Sequence, residues 1–152
     1  LLASAREEQL LHKEYLAIVK GKFEEQSGTL TYALGKEKGI RGRSVTVDGQ
    51  KCITKYAVIL EGNFFSLIRV HIETGRLHQI RAGMAYFGHP LIGDRLYGGS
   101  MHAMKRPALH CWKVEFVHPK TKQRIIIQCD LPEDMQKIVA KLQEGATTSK
   151  DL

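Results

Sequence analysis

Residues 73–99 read ETGRLHQIRAGMAYFGHPLIGDRLYGG, and a change of period inside this stretch decides the fold class. Before it the chain alternates in strand fashion. From Leu77 onward the apolar residues Leu77, Ile80, Met84 and Phe87 recur at helical spacing. Thr74-Gly75 is the turn between the two regimes. Gly88 and Pro90 supply the stop, since glycine suits the left-handed residue after a helix and proline cannot continue one. Arg76, His78, Gln79 and Arg81 crowd the first turns. Cations near a helix N-terminus oppose the macrodipole, so Arg76 and Arg81 are expected to have anionic partners, protein carboxylates or phosphates; the plain alternative is solvation.

Working outward, residues 52–60 and 64–72 read as strands joined by Glu61-Gly62-Asn63 in a hairpin. In the second strand Phe64, Ser66, Ile68, Val70 and Ile72 share one face, and Phe65, Leu67, Arg69 and His71 share the other. The expected sheet is covered on one side and more polar on the other. Residues 15–19 form a further strand, closed by Lys20-Gly21. Residues 26–50, rich in Gly, Ser, Thr and charge, read as loop with short strands. Residues 1–11 give a short apolar start and a charged, helix-compatible run. Downstream, residues 108–117 and 124–129 form a second hairpin around residues 118–121, with Trp112, Val114 and Phe116 opposite Cys111, Lys113 and Glu115. Pro132, Glu133 and Asp134 open a last helix whose apolar stripe is Met135, Ile138, Val139 and Leu142. The class is α+β, mostly antiparallel strands with flanking helices.

The 152 residues suit one domain with a sizeable core. No apolar run approaches the roughly 18 residues a membrane span needs. No signal peptide is visible, because Leu1-Leu2-Ala3 runs straight into Arg6-Glu7-Glu8. Cys52, Cys111 and Cys129 are odd in number and far apart, so a disulfide framework is not expected and a reducing compartment is the plain reading. Without a CxxC pair, the seven histidines do not suggest structural zinc. The net charge of +7 has the sign that suits a polyanionic partner. Part of the excess lies in Lys36, Lys38, Arg41, Arg43, Lys51 and Lys55, opposed there only by Glu37 and Asp48. The first four are candidate contacts to such a partner, the alternative being a solvated loop.

TGRLHQIR followed by GHPLIGDRLYGG resembles the signature of the RluA-type pseudouridine synthases. Lys13 to Val19, KEYLAIV, is similar to that family's KxYxAxV strand. Leu109-His110-Cys111, Phe116-Val117-His118-Pro119 and Leu131-Pro132 resemble its closing hairpin and the lead into its last helix. The resemblance spans residues 12–135, with all pieces in family order.

The resemblance implies a mixed, mostly antiparallel sheet crossed by a cleft. It implies an RNA-modifying isomerase that breaks the uracil–ribose C–N bond, turns the base, and forms a C–C bond at carbon 5. The uridine must be flipped out of its stack. Neither cofactor nor metal is implied, because base and sugar never leave the site. The implied partner is structured RNA, rRNA or tRNA, handled by a cytoplasmic protein with no membrane role and with a monomer favoured. Tyr15 matches the active-site tyrosine, and Arg81 the arginine that pairs with the catalytic aspartate. Ile80 and Arg76 are taken as substrate-binding, with plain core as the alternative for Ile80. His78 and Gln79 are expected to brace the helix start. Asp94 is expected to be structural, and Gly93, Gly98 and Gly99 to serve turns.

Two departures stand out. The family's aspartate sits in a motif close to HRLDxxTSG, which these residues do not contain. Residues 1–143 are thus expected to be one catalytic domain incomplete at its N-terminus, with 144–152 a flexible tail. Arg81 would then lack its carboxylate, and its pocket would be wet or hold an anion. The second departure is Gly83, where a helix interior loses ~1 kcal/mol relative to alanine; close packing is the expected reason. The rival reading is a non-catalytic RNA-binding module of the same fold. A metal-dependent hydrolase using His71, His78, His89 and His110 is disfavoured, because no HExxH or paired-ligand spacing exists.

Overall fold

The computed structural model describes residues 11–36, 42–46, 48–76 and 78–144. The start read at residues 1–10, the candidate contacts Lys38 and Arg41, Leu77, and residues 145–152 of the expected tail lie outside the described residues.

The strands are β1 (Leu11–Lys20), β2 (Ser27–Gly35), β3 (Ser44–Val45), β4 (Gln50–Glu61), β5 (Phe65–Ile72), β6 (Leu109–Val117) and β7 (Arg124–Gln128). The helices are α1 (Gln79–Tyr86) and α2 (Glu133–Glu144). One seven-stranded sheet has the order β3-β2-β4-β5-β1-β6-β7. Among the described residues every named pairing is antiparallel. The α+β class with flanking helices is borne out.

β1 lies between β5 and β6, and Ala17, Ile18 and Val19 are fully buried. Side chains alternate across a strand, so these residues feed two cores. Ile18 packs with Phe65, Leu67, Met135 and Ile138; Ala17 and Val19 pack with Ile68, Val70, Ile80 and Met84. The sheet is therefore covered on both faces, by α1 on one and α2 on the other. The expectation of a polar second face fails at Phe65 and Leu67, which the α2 stripe covers, and holds at exposed Arg69.

The loop reading of residues 26–50 is also corrected. β2 is a nine-residue strand paired with β4 along its length. Thr29 and Thr31 face solvent while Tyr32 and Leu34 are buried. The period-2 signal is present, but its polar members are the residue types that also populate loops.

α1 ends as expected. The Gly88 N–H donates to the Ala85 carbonyl (3.1 Å) and the His89 N–H to Met84 (2.7 Å), with Gly88 at φ +93°. This is a Schellman closure, which requires a left-handed residue at that point.

Gly83 has a packing reason. A Cβ there would lie 2.1 Å from the Tyr32 hydroxyl and 2.3 Å from its Cζ. The Tyr32 hydroxyl donates to the Gln79 carbonyl (2.8 Å), so the Thr54 hydroxyl, 2.9 Å away, is the donor to Tyr32. Burial pushes the Tyr32 phenol up to about 12, so it stays protonated. Gly83→Ala in the full-length protein is expected to lose roughly 1–3 kcal/mol in urea unfolding, because overpacking outweighs the helix-propensity gain. A stabilised variant would show that Tyr32 yields freely and that the packing account is wrong.

Candidate active site

The site is built where β1 passes the start of α1. Tyr15 is half-buried on β1, beside a register irregularity in the β6 pairing between Glu14 and Tyr15. It lines a cavity of about 180 Å3 with Ile72, Arg76, Gln79, Ile80 and Arg81, closed by His78 and Leu109. A second cavity of about 200 Å3, bounded by Lys13, Glu73, Thr74 and Gly75, shares Tyr15, Ile72 and Arg76 with the first. The two adjoin across these three residues as one cleft region. Tyr15, Arg76, Ile80 and Arg81, each picked from sequence, thus meet on one wall.

The helix start is braced from below. Gln79 is 2% exposed. Its Oε1 accepts from the Thr74 hydroxyl (2.8 Å) and the Arg76 N–H (3.1 Å). Its Nε2 donates to the Ile53 carbonyl (3.1 Å) and the Thr54 hydroxyl (2.9 Å). All four bonding positions of the amide are used. Gln79 ties the turn before α1 to β4, which is the bracing role expected. Ile80, 4% exposed, belongs to the core and also borders the cleft. Both readings offered for it describe part of its surface.

Arg81 overturns one expectation. Its Nε donates to Asp94 Oδ2 (2.8 Å) and its Nη2 to Oδ1 (2.9 Å), a bidentate pair. The Asp94 side chain is fully buried, while that of Arg81 is 22% exposed. The carboxylate hydrogen bonds raise the Arg81 pKa above its ordinary value. Arg81 is therefore not left without a carboxylate, and the expected wet or anion-filled pocket loses its premise. The anionic partner expected on macrodipole grounds is present, and it is Asp94. Arg76 has a different arrangement: it is exposed, and its Nε donates to the Lys51 carbonyl at 3.1 Å.

Tyr97 was missed from sequence. Its hydroxyl accepts from the Arg43 N–H (2.9 Å) and lies 2.8 Å from His78 Nδ1, while its ring lies 5.3 Å from the Arg81 guanidinium. Tyr97 thus ties its own loop to the Arg43 segment and to the start of α1 around Arg81. Its signal was its place in GDRLYGG, a motif read only for its acid and glycines. His78, just ahead of α1, has φ 56°, a left-handed conformation uncommon outside glycine, though histidine is among the side chains that adopt it more readily. Burial first, then the Arg81 guanidinium, lowers its pKa and favours the neutral ring.

Of the other sequence candidates, Lys36 is exposed and Arg43 half-buried, and neither lines the cleft. Gly93 and Gly98 have φ of +80° and +86°, as turn glycines should. Gly99 is confined instead by close approach to the Leu91 carbonyl, 2.0 Å from where a Cβ would lie.

The molecule is an antiparallel α+β domain with a basic cleft where the central strand meets the first helix. Residues 1–86 match the RNA pseudouridylate synthase family, and the chain belongs to it. The chain is 39% identical over 140 residues to the uncharacterized RNA pseudouridine synthase YjbO of Bacillus subtilis, covering 91% of this chain and 50% of the relative. It is 33% identical over 149 residues to ribosomal large subunit pseudouridine synthase D of Blochmanniella floridana, covering 87% and 46%. The chain spans about half the length of the curated relatives it matches. The solved structure of human RNA pseudouridylate synthase domain containing 1 superposes with a TM-score of 0.73 at 20% identity, covering 93% of this chain and 71% of the other, a likeness of fold.

Proposed function

We propose that this chain is the greater part of the catalytic domain of an RNA pseudouridine synthase, with residues 1–143 forming that domain. The observation that carries the reading is the convergence of Tyr15, Arg76, Ile80 and Arg81 on one cleft. The flipped uracil enters this cleft, with the Tyr15 ring as its wall and Arg76 on a phosphate. An aspartate adds to base or sugar and the C–N bond breaks. The base turns, carbon 5 bonds to the ribose, and the proton on carbon 5 leaves. Base and sugar are retained, so no cofactor or metal takes part.

The nucleophile in this reading is an aspartate outside the 152 residues. Asp94 is an unsuitable candidate, because it is fully buried and both its oxygens accept from Arg81. Glu73 is bonded at the cleft edge to Lys55, 2.7 Å away. Arg81 uses Nε and Nη2 on Asp94 and keeps Nη1 for the catalytic carboxylate. The substrate is structured RNA. The name of the relative from Blochmanniella favours rRNA over tRNA, and an rRNA substrate favours a cytoplasmic location. Among the described residues no helix is long and apolar enough to cross a membrane.

The test is tritium release from RNA labelled at uracil carbon 5, taken from a strain lacking the gene. Full-length protein should release tritium in excess EDTA, and residues 1–152 alone should not. Release by the 152-residue chain would place the nucleophile within it. Binding without release by the full-length protein would favour a non-catalytic RNA-binding module.

A further inference from the structure

Arg81 is the shared wall of two cavities. A further cavity of about 450 Å3 shares Arg81 with the cleft and is also lined by Arg95, Leu96, Met101, Lys105 and Pro107. Its frame is fixed. The Gly93 N–H donates to the Ser100 carbonyl (2.7 Å), Gly99 to Asp94 (2.7 Å) and Ala108 to Ile92 (2.8 Å). Met104, 3% exposed, anchors the loop in the core, and Arg106 pairs bidentately with Asp134 at 2.9 and 2.8 Å.

The lining has one sign of charge. Its cations are Arg81, Arg95 and Lys105, and it contains no acid. The Asp94 and Asp134 carboxylates are already engaged, by Arg81 and by Arg106. Lys105 Nζ donates once, to the Met101 carbonyl (2.6 Å), and keeps its other donors. The Arg95 guanidinium is exposed and has no protein partner among the described residues. Beside these cations, Leu96 is 42% exposed, an apolar surface without a cover. Fixed cations next to an apolar face suit a nucleotide, whose phosphate takes the charge and whose base or ribose takes the apolar contact.

We infer that this cavity is a second nucleotide subsite, holding the single-stranded residue next to the flipped uridine. Arg95 and Lys105 grip its phosphate, and Leu96 and Met101 take its base. The inference rests on the RNA pseudouridine synthase reading, since sharing Arg81 with the cleft places the two nucleotides side by side. A target uridine would then be selected partly by how readily its neighbour unstacks.

The experiment uses the full-length protein carrying Arg95→Glu with Lys105→Glu. The control, Lys120→Glu with Lys137→Glu, makes the same change of net charge on the β6–β7 turn and on α2. Binding is read with a 12-nucleotide oligouridylate, and turnover by tritium release from labelled RNA. The Arg95/Lys105 variant should bind the oligonucleotide roughly 10- to 100-fold more weakly. Its salt slope should fall by about 0.7, the contribution of one single-strand phosphate contact. The loss in kcat/KM should lie mainly in KM, and the control should shift binding less than about threefold. An active wild type whose Arg95/Lys105 variant matches the control overturns the subsite alone. Oligonucleotide binding lost only in that variant, with no tritium release by wild type, supports the cavity as a nucleotide-binding site but overturns its place beside a flipped uridine together with the enzyme reading. Wild-type protein that neither binds nor turns over RNA overturns both.

Discussion

Arg81→Ala in the full-length protein is expected to cost about 3–5 kcal/mol of stability and to lower tritium release by at least ~10²-fold. The two losses have one origin. Removing the guanidinium strands the Asp94 carboxylate, which has no exposure to water and loses both of its bidentate contacts. It also removes the cation that the proposed catalytic aspartate needs to stay ionised and oriented. Arg81→Lys should recover little of either, since an ammonium cannot match the fork that spans both oxygens.

A destabilised variant is a poor witness to catalysis, so the discriminating protein is Arg81→Met with Asp94→Asn. The pair is in direct contact, and the two changes should be strongly non-additive. Removing the charge of Asp94 together with that of Arg81 should return much of the lost stability, as when a buried ion pair is replaced whole. Tritium release should stay lost. Urea unfolding and the tritium assay on the same preparations separate these outcomes. A double variant that is stable and fully active would show that Arg81 only holds the loop around Asp94.

That pairing marks a boundary in what the sequence discloses. The helical period after Leu77 and the glycine stop at Gly88 are local patterns, and each corresponds to what forms; the alternation along β5 gives the strand but not which of its faces is covered. The residues of the cleft were legible because their motif carries both their identity and their spacing. Arg81 and Asp94 lie thirteen residues apart, separated by the rest of α1 and the turns after it, and no local rule brings them together. Gly83 shows the same gap: its propensity penalty is visible in the sequence, but the Tyr32 hydroxyl that explains it comes from a distant strand. β2 was hidden for another reason, because threonine and glycine serve strands and loops alike. The second face of the sheet was misjudged because Phe65 and Leu67 share that face with Arg69 and His71, and only α2, near the far end of the chain, decides which of these is covered.

Tyr15 carries the other large effect, and two substitutions divide its ring from its hydroxyl. The ring lines both parts of the cleft, on a strand whose register irregularity at Glu14/Tyr15 locally alters the β6 pairing. Tyr15→Ala removes the wall and should weaken RNA binding by ~1–3 kcal/mol, the range for a base stacked on an aromatic side chain. Tyr15→Phe keeps the wall and should bind RNA as wild type does. If the phenol oxygen takes or relays the proton from carbon 5, Tyr15→Phe should slow tritium release by ~10²–10⁴-fold, the scale of one positioned acid–base group. The stall would fall after glycosidic cleavage, because the proton leaves only once the new C–C bond exists. Filter binding and tritium release, measured on one RNA, read the two contributions separately. Unchanged binding and unchanged release in both variants would reduce Tyr15 to a strand aromatic. A Phe variant that binds and turns over normally, beside an Ala variant that does neither, would keep the wall and move the proton acceptor to another group.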